Sequence, residues 1–227
     1  TAITSTQHGS QTWIGTSTIT AAVADASTAP IVNIQGATPA TVGDSAYLTI
    51  IGHKIIVPAG ISGARGAVSL SPTATWGSYF SAARVVLSGA TFGTGTCLRW
   101  AETATKIISF SVYQSTLFNC DEAMFGTNAA YTAAATATTK LVQWSIIDGG
   151  AGTTNLFWPD YAGSIEAGTW TLRDNILNER GNSANLYRYR QQAGTTNSAT
   201  TTAAWRTDIE AEPNANPTSM AHAWVVA

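Results

Sequence analysis

The chain has 227 residues, a net charge of −2 and only 11% charged side chains, against a usual share of about 25%. Such a balance gives no electrostatic case for nucleic acid or an anionic membrane, and no apolar run approaches the roughly 20 residues of a membrane span. Apolar residues at 44%, with 8 Trp, exclude a disordered composition and leave a β-rich chain with a neutral, hydroxyl-rich surface.

The N-terminal Thr1-Ala2-Ile3-Thr4-Ser5 lacks the charged and apolar segments of a signal peptide, and a Thr start suits removal of an initiator Met. Residues 1–45 are Thr/Ser/Ala-rich, with apolar residues scattered at Trp13-Ile14, Ile31-Val32 and Ile34. Pro30, Pro39 and many Gly break any helix. This segment reads as an extended N-terminal arm with one or two strands, or as a cap on the body of the chain. Residues 46–81 read as a β-hairpin and turn-rich lead-in. Tyr47–Gly52 and Lys54–Val57 form two strands around a tight turn at Gly52-His53, ended by Pro58 and Gly60. Trp76 and Tyr79-Phe80 read as local packing.

Residues 82–190 carry a repeat. Val85-Val86-Leu87-Ser88, Thr116-Leu117-Phe118-Asn119, Ser145-Ile146-Ile147-Asp148 and Asn175-Ile176-Leu177-Asn178 recur at about thirty residues. They align a polar column, Ser88, Asn119, Asp148 and Asn178, and a far column, Leu98, Met124, Leu156 and Leu186. Strand signals fall at Arg84–Leu87, Ile107–Val112, Leu141–Ile147, Trp170–Leu172 and Asn185–Tyr189, all rich in β-branched and aromatic residues. One turn of short parallel strands per repeat would stack the apolar residues inward. It would also let the polar column form a ladder of side-chain hydrogen bonds. Thr127–Thr139, nearly all Ala and Thr, reads as an inserted loop.

Residues 191–227 read as a C-terminal cap and tail. Gln191 to Ala204 is loop-like, Trp205–Ile209 a further strand, and Pro213 to Pro217 a turn. Ala221–Ala227 is an apolar tail that must dock on its own body or on a neighbour. Cys97 and Cys120 fall in different columns of adjacent repeats and are expected to be free, buried thiols. No Cys/His cluster exists and His8, His53 and His222 are isolated, so no metal site is expected.

Little catalytic chemistry is visible. A glycosidase needs two carboxylates about 5–9.5 Å apart. The candidates are Asp148, Asp174 and Glu179, with Arg173 and Arg180 nearby, but Asp148 sits in the polar column, where a structural role suffices. Asp121-Glu122 reads as a solvated turn. Tyr187-Arg188-Tyr189-Arg190 alternates aromatic and basic residues, a pattern suited to a glycan or acidic partner and equally to one exposed strand face. No nucleophile elbow occurs, and Gly93-Thr94-Gly95-Thr96 lacks the Lys of a phosphate loop. The chain is expected to be non-enzymatic, with no cofactor.

The tetrads and the Ser88/Asn119/Asp148/Asn178 column resemble right-handed parallel β-helix proteins over residues 84–190. The expected fold is all-β: a short right-handed parallel β-helix, about thirty residues per coil, with an extended N-terminal arm. A jelly-roll or β-sandwich is the alternative. The Thr/Ala/Gly-rich character resembles bacteriophage virion proteins, and the length suits a capsid decoration (cement) protein. That resemblance implies a structural protein on the surface of the particle, bound to capsid or other virion proteins, as a homo-oligomer (trimer). Trp13, Ile14, Trp224 and Val225 would make the assembly contacts. The neighbouring reading is a carbohydrate-binding or polysaccharide-cleaving tail-spike-like protein, using Asp148, Asp174 and Arg173, with Tyr187, Arg188 and Tyr189 as a further glycan or partner face. The chain departs from such enzymes in lacking a clear carboxylate cluster.

Overall fold

The computed structural model describes residues 3–5, 9–20, 30–34, 46–59, 66–70, 78–90, 95–102, 108–120, 122–128, 140–148, 155–159, 170–178, 185–190, 196–199 and 224–226. These are all-β, with no helix among them. The strands come in threes. The first three are β1 (Ile3–Ser5), β2 (Gly9–Ile14) and β3 (Thr18–Thr20), followed by β4 (Val32–Ile34), β5 (Ala46–Ile51) and β6 (Lys54–Val57). Then come β7 (Gly66–Leu70), β8 (Ser78–Ala83) and β9 (Val86–Gly89), and β10 (Thr96–Glu102), β11 (Ile108–Tyr113) and β12 (Thr116–Phe118). The next two sets are β13 (Glu122–Asn128), β14 (Lys140–Gln143) and β15 (Ile146–Asp148), and β16 (Asn155–Pro159), β17 (Trp170–Arg173) and β18 (Ile176–Asn178). The chain closes with β19 (Asn185–Arg190), β20 (Thr196–Ala199) and β21 (Trp224–Val226).

Each of the first six sets contributes one strand to each of three sheets. The first sheet runs β1-β4-β7-β10-β13-β16-β19-β20, the second β2-β5-β8-β11-β14-β17, and the third β3-β6-β9-β12-β15-β18-β21. Neighbouring strands are parallel throughout except β19 and β20, which are antiparallel. A jelly-roll is built from antiparallel sheets, so the sandwich alternative is set aside.

Alternation along each strand builds the core. In β11, Ile108, Phe110 and Val112 are buried while Ser109, Ser111 and Tyr113 are half-buried on the other face. The parallel register stacks like on like: Leu48, Phe80 and Phe110 are successive partners, as are Ile55, Leu87, Leu117 and Ile147. Such stacks fill one core to which all three sheets contribute, including a tilted Trp100–Phe110 ring contact at 5.2 Å. Burying each Leu or Phe contributes roughly 1.5–3 kcal/mol. The next partner of Phe110 is Lys140, which is also fully buried. This buried lysine was not anticipated.

The corner from the second sheet to the third is the most regular feature. Gly52, Arg84, Gln114, Trp144 and Asp174 all adopt positive φ there, one per circuit. Gly52 is required, because a Cβ at its φ of +83° would collide with the backbone oxygen of Gly15. The next residue is buried in four of these corners, as Val85, Ser115, Ser145 and Asn175, and the last three are polar. Each polar side chain accepts a backbone hydrogen from the preceding circuit. Val85 N donates to Ser115 Oγ (3.2 Å), Ser115 N to Ser145 Oγ (3.1 Å) and Ser145 N to Asn175 Oδ1 (2.9 Å). Each also donates to a backbone carbonyl beside it: Ser115 to Tyr113 O, Ser145 to Gln143 O and Asn175 to Val142 O.

The ladder thus exists, but one corner away from the expected column. Phe118, not Asn119, pairs with both Ser88 and Asp148, while Asp148 pairs with Asn178. Asn119 lies one residue past the strand at φ 61°, a conformation Asn tolerates, and its buried Oδ1 has no hydrogen-bond partner. The far column holds for Leu98 with Met124 and in the register that sets Leu156 opposite Leu186, and slips by one residue only between them, where Met124 pairs with Phe157.

Three further expectations change. The strands of residues 1–45 are not a detached arm, since β1 pairs with β4, β2 with β5 and β3 with β6. β5 and β6 are not a hairpin, because they belong to different sheets and pair with different strands. Cys97 and Cys120 are not free thiols but a disulfide, with Cα atoms 5.6 Å apart. Thr96 pairs with Glu122, so this circuit is shorter than the common period and brings the two cysteines to the same corner. The expected strand at Trp205–Ile209 and most of the 127–139 insertion lie outside the described residues.

Candidate functional site

The carboxylates singled out in the sequence occupy different elements. Asp148 is buried in the third sheet, whereas Asp174 occupies the half-buried corner before β18. Arg173 pairs with Gln143 on the second sheet, and Tyr187, Arg188 and Tyr189 lie on β19 between β16 and β20. Glu179, Arg180 and Asp121 lie outside the described residues. Among the assembly candidates, Trp13 packs against the core while Ile14 is 74% exposed. Trp224 and Val225 pair with Ile176 and Leu177, which docks the tail onto the chain's own third sheet.

Two surfaces stand out instead. The first is the outer face of the third sheet near its C-terminal end. Thr18, Lys54, Val86, Thr116, Ile146 and Ile176 are successive partners there, so the column passes from polar to apolar. Ile146 is 41% exposed, Ile176 36%, and Trp144 at the adjoining corner 56%. Tyr113 meets Trp144 in a tilted contact at 6.5 Å. Large side chains left this open are unusual in a chain whose core is otherwise well filled.

The second is the outer face of the second sheet. Ser10, Tyr47, Tyr79 and Ser109 are successive partners, and beside them run Thr12, Thr49, Ser81 and Ser111. Tyr47 and Tyr79 stack with centroids 4.4 Å apart and planes 11° from parallel. A shallow groove of about 190 Å³ follows β5, β8 and β11, lined by Tyr47, Thr49, Tyr79, Ser81, Ser109 and Ser111 above Leu48, Phe80 and Phe110. None of the described lining residues is Asp, Glu, Lys, Arg or His. Sequence reasoning passed over this face, reading Tyr47 as a strand residue and Tyr79 as local packing. The signal was a shared parity, Tyr47-x-Thr49 and Tyr79-x-Ser81, one circuit apart.

Among the described residues, no group of three His, Cys, Asp or Glu is placed to hold a metal ion. His53 sits at a corner with Nδ1 3.4 Å from Ser17 O. No family model matches the chain, and neither a curated protein nor a solved structure matches it.

Proposed function

We propose that this chain is a right-handed parallel β-helix, about thirty residues per coil, serving as a non-enzymatic structural protein of a virus particle. It decorates the particle surface through subunit contacts, with capsid or other virion proteins as partners, and self-associates as a trimer. The cyclic visiting of three parallel sheets supports the architecture. The observation that carries the function is the apolar stripe of Trp144, Ile146 and Ile176, which are 56%, 41% and 36% exposed. Burying such a stripe between subunits removes apolar area from water at about 25 cal/mol per Å². Contacts of this kind stabilise the assembled state by mass action.

The test has two parts. Sedimentation equilibrium of the purified chain is expected to give a trimer that Ile146→Lys with Ile176→Lys reduces to a monomer. Antibodies to the chain are expected to label intact particles in virus-enriched fractions from its source. A monomeric parent chain refutes the self-association, and unlabelled particles refute the virion role.

A further inference from the structure

The aromatic stack on the second sheet stops one rung short. Tyr47 lies on Tyr79 at 4.4 Å, close to the spacing of neighbouring strands, about 4.8 Å. The next rung holds Ser109, and the groove extends over it. Where a third ring would continue the stack, the side chain is instead a short hydroxyl. The slot therefore has an aromatic wall on one side and hydroxyls from Ser81, Ser109 and Ser111 along its floor.

We propose that this groove binds a neutral sugar, with a pyranose ring seated at the Ser109 rung against Tyr79. A pyranose has a flat face of C–H bonds, which an aromatic ring with its negative π-face accepts, and a rim of hydroxyls. Ser and Thr hydroxyls both donate and accept, so they match that rim without selecting one polarity. The described lining residues include no Lys, Arg or His to pair with the charge of a uronic acid, sulfate or phosphate. An aromatic side chain from a partner protein would use the stack but leave the hydroxyls idle. Because the strands repeat, neighbouring sugars of a chain would lie toward Thr49 and Ser111 along the same face.

The site is independent of the assembly stripe, which lies on the third sheet and its corner, so the two readings fail separately. The test is isothermal titration of the full chain with cellohexaose, maltohexaose and chitohexaose, with hyaluronan oligosaccharides as the acidic control. At least one neutral probe is expected to bind saturably. Tyr79→Ala and Ser109→Tyr are each expected to weaken it by about tenfold or more, the scale of one lost stacking contact with its hydrogen bonds. Ser109→Tyr fills the slot by extending the stack, so it remains informative should Tyr79→Ala fold poorly. Trp144→Ala is expected to leave binding unchanged. No saturable binding by any neutral probe, unaltered binding by Ser109→Tyr, or equal affinity for the acidic control would each overturn the proposal.

Discussion

The third sheet and the first sheet are made by the same chain in alternation, yet they keep time differently. In the third sheet, Val86, Thr116, Ile146 and Ile176 follow one another at an unvarying thirty residues. In the first, Thr96 pairs with Gly66 thirty residues before it, then with Glu122 twenty-six after it, and Glu122 pairs with Asn155 thirty-three after that. The difference traces to the corners. From β5 onward the turn between the second and third sheets is two residues long, fixed by one left-handed residue and, in its later circuits, locked by the Ser115–Ser145–Asn175 ladder. Variation in circuit length is accommodated elsewhere. A corner whose backbone groups are satisfied by the neighbouring circuit cannot change length without leaving buried donors unpaired.

The largest effect should come from a change of length. Inserting one Gly between Gln114 and Ser115 would move β12 by one register position and turn its buried face outward. Loss of the cooperative thermal transition is expected. The same insertion between Asn128 and Lys140, where circuits already differ, should leave the transition nearly in place. Next, Ser115→Ala with Ser145→Ala removes the acceptors for two buried N–H groups, those of Val85 and Ser115. Urea unfolding should show a loss of about 2–6 kcal/mol, at roughly 1–3 kcal/mol per unsatisfied group.

On the irregular side, reducing the Cys97–Cys120 disulfide opens a link across 23 residues. It should lower stability by about 2–4 kcal/mol on the same urea curves. A result as small as the error of the extrapolation would mean the first sheet's corner is held by packing alone. The smallest effect is expected at Asn119→Gly. The left-handed backbone favours Gly, and the side-chain oxygen has no donor to lose. The change should stay within about 1 kcal/mol of the parent, in either direction.

These contrasts also explain what the sequence disclosed. The thirty-residue period was legible where the corner enforces it, and the residues of the ladder, Ser145 and Asn175, stand at the head of the repeats that revealed it. The polar column was misaligned because Asn119 resembles Asp148 chemically, although it precedes it by twenty-nine residues; Phe118, at thirty, is the true partner. β1, β4 and β7 were missed because they are short or built of Gly, Ala and Ser, which carry little strand signal. The disulfide was hidden by a circuit shorter than the period. The tyrosine face needed register across three strands, which no local pattern supplies.

At the C-terminal end the three sheets do not all finish with the same heading. Parallel strands expose hydrogen-bonding edges at both ends of every sheet, an invitation to endless head-to-tail polymers. β20 runs against β19, while β17 and β21 keep the common direction of their sheets. A second copy arriving at that end would bring β1, β2 and β3 in matched polarity and would meet one reversed edge. It would find two seams in parallel register and the third in antiparallel register, so the all-parallel arrangement could not continue unchanged across the three sheets.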